Sequence, residues 1–412
     1  MKISRFAWRN LWRRKRRTII TALSIGFGVT LSVTFTGTGD YGYTKMINTG
    51  ASMGMGHITV EPLGYNLTPS LDKKLKDTDQ IRNEILEIPG ITDAIVRITG
   101  QAMFASASKS IGGMFMGIDP AQESEENNLL LGSIVEGELF EGPDGRGVVV
   151  GSRMAGKLNL GLGKKIVYTT TDVNGEIVSE IARVTGIFRT GVDEVDGAFI
   201  LLPINSVRKT LHYDANDATL IAVIINDQRH AEKMSEKIDK IVGNPEIEVL
   251  SWKKSQPDLA GIISMDRSSN YIIQVLIGLL IAAGILNTLL MGVLERTREF
   301  GVMMAVGMSP GTLFRLIITE SFWLAVLGLL AGIIITTPWY AYLYNVGIDF
   351  SAAIGGESSA GGVLIDPVLK IRIFRESVIA ILLGVFGLTI LSGIYPAWKA
   401  GRVPPVESLK TI

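Results

Sequence analysis

Four stretches of this chain are long and apolar enough to cross a lipid bilayer as helices, and they constrain the fold more than any other feature: Thr18 to Gly37, Tyr271 to Leu294, Leu316 to Tyr342 and Val378 to Ala397. A hydrocarbon core takes about 20 helical residues, because backbone N–H and C=O groups must be satisfied within the segment where water cannot reach them. Thr21, Ser24, Thr30, Ser32, Thr34 and Thr36 dilute the first stretch. Hydroxyls at such positions bond back to their own helix and pack against neighbours, so the segment still reads as a span. A cleaved signal peptide would carry a shorter apolar run ending at a small-x-small site, and Asp40 to Lys45 offers no such site.

Charge sets the orientation. Lys2, Arg5, Arg9, Arg13, Arg14, Lys15, Arg16 and Arg17 precede the first span with no acidic residue among them, which places the N-terminus in the cytoplasm by the positive-inside rule. Four crossings return the C-terminus to the same side. Arg296, Arg298 and Arg315 between the second and third spans, and Lys399, Arg402 and Lys410 after the fourth, then also fall inside. The expectation is a multi-pass protein of the cell's inner membrane with both termini cytoplasmic. Its segments are residues 1–17 before the membrane, 18–40 as the first span, 41–270 outside the cytoplasm, and 271–412 carrying the other three spans. Over the whole chain, 40 lysines and arginines balance 40 aspartates and glutamates, so global charge points to no nucleic-acid partner. There is no cysteine, which excludes a disulfide framework, a thiolate nucleophile and a thiolate-held metal.

The segment from Tyr41 to Asn270 has the patterning of a water-soluble α+β domain. His57 to Glu61 reads as a strand, Thr78 to Ile88 as a helix capped by Asp77 or Thr78, and Ala94 to Thr99 as a strand followed by another through Met114 to Ile118. A similar unit returns as a strand at Leu220 to Ile225, a helix at Arg229 to Val242 and a strand at Ile247 to Trp252. Two such units fit one sheet in a split β-α-β arrangement. Between them, about residues 120–215, lies a β-rich insertion. In it Lys165 to Thr171 and Ile177 to Thr185 flank a hairpin turn at Asp172-Val173-Asn174-Gly175, and Phe199 to Leu202 adds a strand. The fold class is therefore an α-helical membrane protein with four transmembrane helices and a large extracytoplasmic α+β domain carrying a β-rich insertion.

Catalytic constellations are not legible in it. His57, His212 and His230 stand far apart and outside any metal-binding spacing, and read as satisfied or surface histidines. Gly161-Leu162-Gly163-Lys164-Lys165 has a glycine-lysine pair, but Leu158 stands where a phosphate-binding loop needs its first glycine. Glu125 with Glu126, and Asp193 with Glu194 and Asp196, lack the alternating spacing of a calcium loop and read as solvated charges. The chain is expected not to be an enzyme and to bind no metal.

Two stretches next to the membrane carry more information. At helical period Lys2, Arg5, Arg9, Arg13 and Arg16 fall in one narrow stripe, with Ile3, Phe6, Ala7, Trp8, Leu11 and Trp12 filling the rest. This predicts an interfacial elbow helix whose Arg5, Arg9, Arg13 and Arg16 meet lipid phosphates while Trp8 and Trp12 lie at headgroup level. The second stretch, Glu295 to Pro310, joins two spans on the cytoplasmic side. Its Phe300, Val302, Met303, Met304, Val306 and Met308 would form an unprotected, adaptable apolar patch, the kind that marks a docking site. Within the spans Glu320 stands out as the ionisable exception, to be paired with Arg315 or a residue of another span, or hydrated near the headgroups. Gly328 with Gly332, and Gly384 with Gly387, read as close-packing faces.

Asn287 to Gly307, reading NTLLMGVLERTREFGVMMAVG, resembles the signature of the FtsX-like, or MacB-type, ABC-transporter permeases. Ala7 to Thr18 (AWRNLWRRKRRT) resembles the family's elbow helix, Glu320 with Gly328 and Gly332 its third span, and Tyr395 to Ala400 (YPAWKA) with Pro404 to Leu409 its C-terminal motif. The resemblance implies four spans, a porter-like external domain, a pair of identical or different permease subunits and two cytoplasmic ABC ATPase subunits. ATP and Mg would belong to those partners, with no cofactor on this chain. Carried over residue by residue, Glu295 to Met308 would be the coupling helix seated in a cleft of the ATPase. Arg296, Arg298 and Glu299 would supply its polar contacts, Phe300, Val302, Met303 and Val306 its packing, and Glu295, Gly301 and Gly307 would complete it.

The lone-permease organisation, together with Gly56-His57-Ile58-Thr59-Val60 followed by Gly64-Tyr65, is similar to the lipoprotein-release (LolC/LolE-like) branch. The resemblance thus implies mechanical release of lipoproteins or other lipid-attached substrates, with a periplasmic acceptor or adaptor. Efflux of drugs or peptides through an adaptor, and signalling to a cell-wall hydrolase, are the competing readings.

Overall fold

The computed structural model describes residues 3–350, 358–360, 363–365 and 368–402. Lys2, the Pro404 to Leu409 motif and Lys410 lie outside the described residues. The described residues divide into two compact units, one drawn from residues 3–42, Met265–Phe350 and residues 368–402, the other from Tyr43–Ser264 with residues 358–360 and 363–365.

Helix α1 covers Ile3–Arg13 and helix α2 Lys15–Gly50, with a turn at Arg14 between them. The predicted basic stripe is thereby interrupted: Arg5, Arg9 and Arg13 share α1, while Arg16 belongs to α2. Ala7 and Asn10 are the buried residues of α1. Its inward face is therefore turned to protein rather than to lipid. Beyond the predicted span, α2 continues to Gly50 and ends in a π-helical turn, Ala51–Met55, where Gly54 and Gly56 take positive φ.

The external domain opens with β1 (Ile58–Pro62), α3 (Thr78–Leu86) and β2 (Ile91–Ala105). Asp77 does not cap α3 through its side chain; it sits at φ 51, and Thr78 instead donates both its N–H and its hydroxyl to Asn216 O, at 3.1 and 2.8 Å. Then come β3 (Ser110–Ile118), α4 (Leu129–Gly132), β4 (Ile134–Gly137), β5 (Gly147–Gly151), α5 (Ser152–Leu158), β6 (Lys165–Thr171), β7 (Ile177–Phe188), α6 (Asp193–Ala198), β8 (Phe199–Pro203) and α7 (Ile204–Leu211). The second unit of the repeat closes the domain as β9 (Leu220–Ile225), α8 (Ala231–Val242), β10 (Ile247–Ser251) and the single turn α9 (Trp252–Ser255).

Strands β10, β1, β9 and β2 lie side by side in that order, each pair antiparallel, which is the split β-α-β arrangement the sequence predicts. Amphipathic spacing seats the helices: Ala231, Ser235 and Ile238 of α8 are its buried residues. The insertion departs from expectation in its reach. It does not form a separate body, but borrows β2 and β3 to close a ring, β2-β3-β8-β5-β7-β6 and back to β2. Fifteen residues long, β2 serves both parts: Ile91–Arg97 pair with β9, and Met103–Ala105 with β6.

Several ionisable side chains in this domain are deeply buried. Asp196, expected in solvent, accepts from Thr190 N and Oγ1, both at 2.8 Å, and so holds the turn before α6. Arg97 is fully buried; its Nε and Nη2 bind the two oxygens of Glu123 at 2.7 Å each, and its Nη1 donates to Gly54 O at 2.7 Å. That pair ties β2 to the turn ending α2.

Glu61 on β1 is fully buried and stands directly across from Glu248 on β10. Burial outweighs the opposing hydrogen bond from Asn66 N–H, the neighbouring Glu248 charge adds to it, and the Glu61 carboxyl is pushed up to about 7. A carboxyl raised on folding stabilises the fold fully below its unfolded value, and this contribution is lost as pH rises through about 7. Glu61→Gln, which keeps the shape without the charge, is expected to stabilise the external domain at pH 8 by up to about 3 kcal/mol and to leave it nearly unchanged at pH 4. Denaturation followed at Trp252, the one tryptophan in residues 43–264, reads this directly. An equal shift at both pH values would contradict it.

The remaining helices are α10 (Pro257–Leu294), α11 (Thr297–Ala305), α12 (Pro310–Asn345) and, after the short pairing of β11 (Ile348–Asp349) with a strand at Val368–Leu369, α13 (Arg375–Ala400). Helices α2, α10, α12 and α13 each contain a window apolar enough to cross a membrane, so the four predicted spans are all present, lengthened at their ends. The hydroxyls of α2 bond as expected, Thr21 to Arg17 O at 3.0 Å, Ser24 to Ile20 O at 2.9 Å, and Thr34 to Thr30 O at 2.7 Å. Gly328 and Gly332 let α12 approach α2: a Cβ on either would come within 2.6 Å of Ile25 or 2.9 Å of Val29. Along the same seam Thr30 and Thr336 share a buried hydrogen bond of 2.9 Å. A Cβ added at Gly384 or Gly387 on α13 would meet nothing within 4 Å, so among the described residues these two glycines make no close packing face.

Candidate coupling site

The segment joining α10 to α12 is short, and local chemistry fixes both its ends. Thr297 Oγ1 donates to Leu294 O at 2.9 Å as α11 starts. At the far end Gly307 adopts φ 106, a conformation L side chains rarely take, and Gly307 N and Met308 N close on Met304 O and Met303 O, both at 3.0 Å. Ser309 then caps α12, its hydroxyl accepting from Thr312 N, with Pro310 in the first turn.

Within α11 the side chains divide into two sets. Phe300 is 0% exposed and Gly301 is buried with it; Phe300 packs with Ala7, Val293, Leu313, Leu316, Ile317, Ala397 and Ala400. Met303, Met304 and Met308 are half-buried against the same cluster. Outward lie Val302, 45% exposed, and Val306, 85% exposed, with Arg298 and Glu299 also in solvent. The expected open patch is thus narrower than the sequence suggests. Phe300 belongs to the core because it has a hydrophobic pocket of its own to fill, and the exposed apolar contact reduces to Val302 and Val306, with the half-buried Met303 beside them.

Two of the predicted coupling residues are bound by other elements of the bundle, Glu295 at its surface and Arg296 within it. Glu295 is bound by Arg17 of α2, at 3.0 and 2.8 Å, and by Arg14. Arg296 is largely buried; it reaches Glu320 Oε1 and Oε2 at 3.1 and 3.2 Å and Glu299 at 3.1 Å, with its guanidinium 4.9 Å from the centre of the Phe300 ring. Glu320 is therefore paired, but with Arg296 rather than Arg315. It also accepts from Asn10 Nδ2 of α1 at 2.8 Å. Asn10 escaped sequence reasoning because an asparagine at the border of a basic stripe reads as one more polar surface residue.

Helix α1 is held on α12 by aromatic contacts as well. Trp8 meets Trp323 edge-on at 5.0 Å and Trp12 at 5.8 Å, and Trp323 Nε1 donates to Ser4 at 3.2 Å. Arg5, Arg9, Arg13 and Arg16 remain exposed, as does Trp12, while Trp8 is half-buried in that contact.

Comparison with known proteins places these units in context. Residues 18–241 match the MacB-like periplasmic core domain, and residues 271–405 match the FtsX-like permease C-terminal domain. An ABC transporter permease of Methanocaldococcus jannaschii is 24% identical over 98% of this chain and 96% of its own length. The lipoprotein-releasing system transmembrane protein LolC of Xylella fastidiosa is 21% identical over 76% of this chain and 78% of its own. The pyoverdine export ATP-binding/permease protein PvdT of Pseudomonas entomophila is 24% identical over 98% of this chain and 58% of its own.

Proposed function

Because this chain belongs to the family of ABC-transporter permeases that join a MacB-like periplasmic core domain to an FtsX-like permease domain, we propose that it converts ATP hydrolysis by a separate subunit into motion of its external domain. The observation that carries this reading is the two-sidedness of α11: one face is locked into the helical bundle while Val302 and Val306 stand in solvent beside Arg298. A short helix so anchored, with an apolar strip and an exposed guanidinium outward, suits a cleft on a cytoplasmic ABC ATPase. ATP and Mg bind in that partner, and this chain supplies no catalytic group. A second permease subunit completes the complex, both termini are cytoplasmic, and the domain of residues 43–264 is periplasmic in the cell's inner membrane.

The favoured cargo is a lipoprotein or another lipid-attached molecule, released to a periplasmic acceptor. Support comes from the lipoprotein-releasing LolC relative, which aligns over 78% of its own length. The spans also carry few ionisable residues, which suits a mechanical stroke better than a polar channel. Depletion of the protein followed by fractionation of lipoproteins tests the cargo, and their accumulation in the inner membrane is expected. Normal sorting together with lost export of a small molecule would favour efflux, the reading supported by the pyoverdine exporter relative. Recovery of the chain from mild detergent without any Walker-type ATPase would overturn the scheme itself.

A further inference from the structure

Glu320 is the one acidic residue of α12, and the bundle does not leave it to solvent. Its carboxylate is shared by two elements remote in sequence: Asn10 of α1, 2.8 Å away, and Arg296 immediately before α11, at 3.1 and 3.2 Å. A buried carboxylate is costly unless its lone pairs are filled, so each partner depends on the other two for a satisfied environment. The residue before Arg296, Glu295, holds the start of α2 through Arg17 and the turn that precedes it through Arg14. Two consecutive residues at the mouth of the coupling segment therefore grip different helices. A cavity of about 90 Å³ borders Asn10, Arg296 and Glu320, and Arg296 Nη2 is buried with no hydrogen-bond partner among the described residues. The pair thus has space to shift within its seat and a donor in reserve for a second arrangement.

From this geometry we infer that Glu320 is the positioning residue through which displacement of α11 reaches α1. The inference rests on the proposed docking of α11, yet the linkage is a property of this chain alone and is measured without an ATPase. Removing the charge from Glu320 releases both of its partners; removing Asn10 releases only α1; weakening the Arg296 fork releases only α11. Surface ion pairs of similar length would not behave this way, since they are individually weak.

The test is hydrogen–deuterium exchange on the full chain in lipid nanodiscs, with no nucleotide and no partner. Glu320→Gln is expected to raise exchange in Ile3–Arg13 and in Thr297–Ala305 together, each by about tenfold, from loss of hydrogen bonds to a buried charge. Asn10→Ala should raise it in α1 alone, and Arg296→Lys, which keeps the charge but loses the fork, in α11 alone. Protection in α13 and in β2 should stay unchanged throughout, which separates release of a linkage from general loosening. If Glu320→Gln fails to fold, the two milder variants carry the test. The inference is overturned if Glu320→Gln leaves either helix protected, or if Asn10→Ala loosens both alike. Should co-purification reveal no ATPase, the docking falls while this measurement stands.

Discussion

Arg97→Met is expected to destabilise the external domain by about 3–5 kcal/mol, because it strands the Glu123 carboxylate in an interior from which water is excluded. Both side chains are fully buried and joined by two bonds of 2.7 Å, so the loss is not that of a surface ion pair but of the counter-charge that compensates a desolvated carboxylate. The carbonyl of Gly54 loses its donor at the same time. Two consequences distinguish this from ordinary core damage. Arg97→Met combined with Glu123→Leu should recover most of the stability, since well-packed apolar replacements of a buried pair are often neutral. In addition, exchange protection at the turn Ala51–Met55 should remain low even in the double variant, because the bond to Gly54 O is not restored. Denaturation of the full chain followed at Trp252 measures the first, and hydrogen exchange the second. A single variant as stable as the parent would refute the argument.

Phe300→Ala and Val306→Asp are expected to fail in opposite ways although they lie six residues apart on one short segment. Phe300 fills a pocket among α1, α10, α12 and α13, and its truncation should cost about 3–5 kcal/mol of bundle stability by leaving a cavity. It also removes the ring beneath the Arg296 guanidinium. Val306, at 85% exposed, touches little of the bundle, so Val306→Asp should leave thermal unfolding within about 0.5 kcal/mol of the parent. Its effect should appear in retention of the ATPase subunit through purification, reduced at least about tenfold when an unpaired carboxylate is pressed into an apolar cleft. Quantitative co-purification alongside differential scanning fluorimetry separates the two. Undiminished retention in Val306→Asp would remove this face of α11 from the proposed docking site.

Much of this was legible in residue order, for physical reasons that also explain the omissions. Spans announce themselves because lipid demands an unbroken apolar run, α3 and α8 because one buried side imposes a helical period, and β9 because a strand buried on both faces reads as a short continuous apolar run. Closure of the barrel was not legible: it depends on the parallel pairings of β3 with β8 and of β5 with β7, which join residues far apart in sequence and leave no local mark. Glu123 reads as part of an acidic loop with Glu125 and Glu126, and nothing nearby announces that Arg97 awaits it. At the coupling segment the hydropathy of Phe300 was plain, but whether an apolar side chain on a nine-residue helix faces its own bundle or a partner depends on what α12 and α13 present to it.

The inward lodging of Phe300 and Gly301, set against the outward Val302 and Val306, has a consequence for descent. Substitutions on the solvent side are nearly invisible to folding, while those on the other side are invisible to whatever binds there. On the proposed docking, a lineage can therefore rewrite the lettering of one side to suit a new motor subunit, one conservative exchange at a time, without ever passing through an unfolded intermediate sequence.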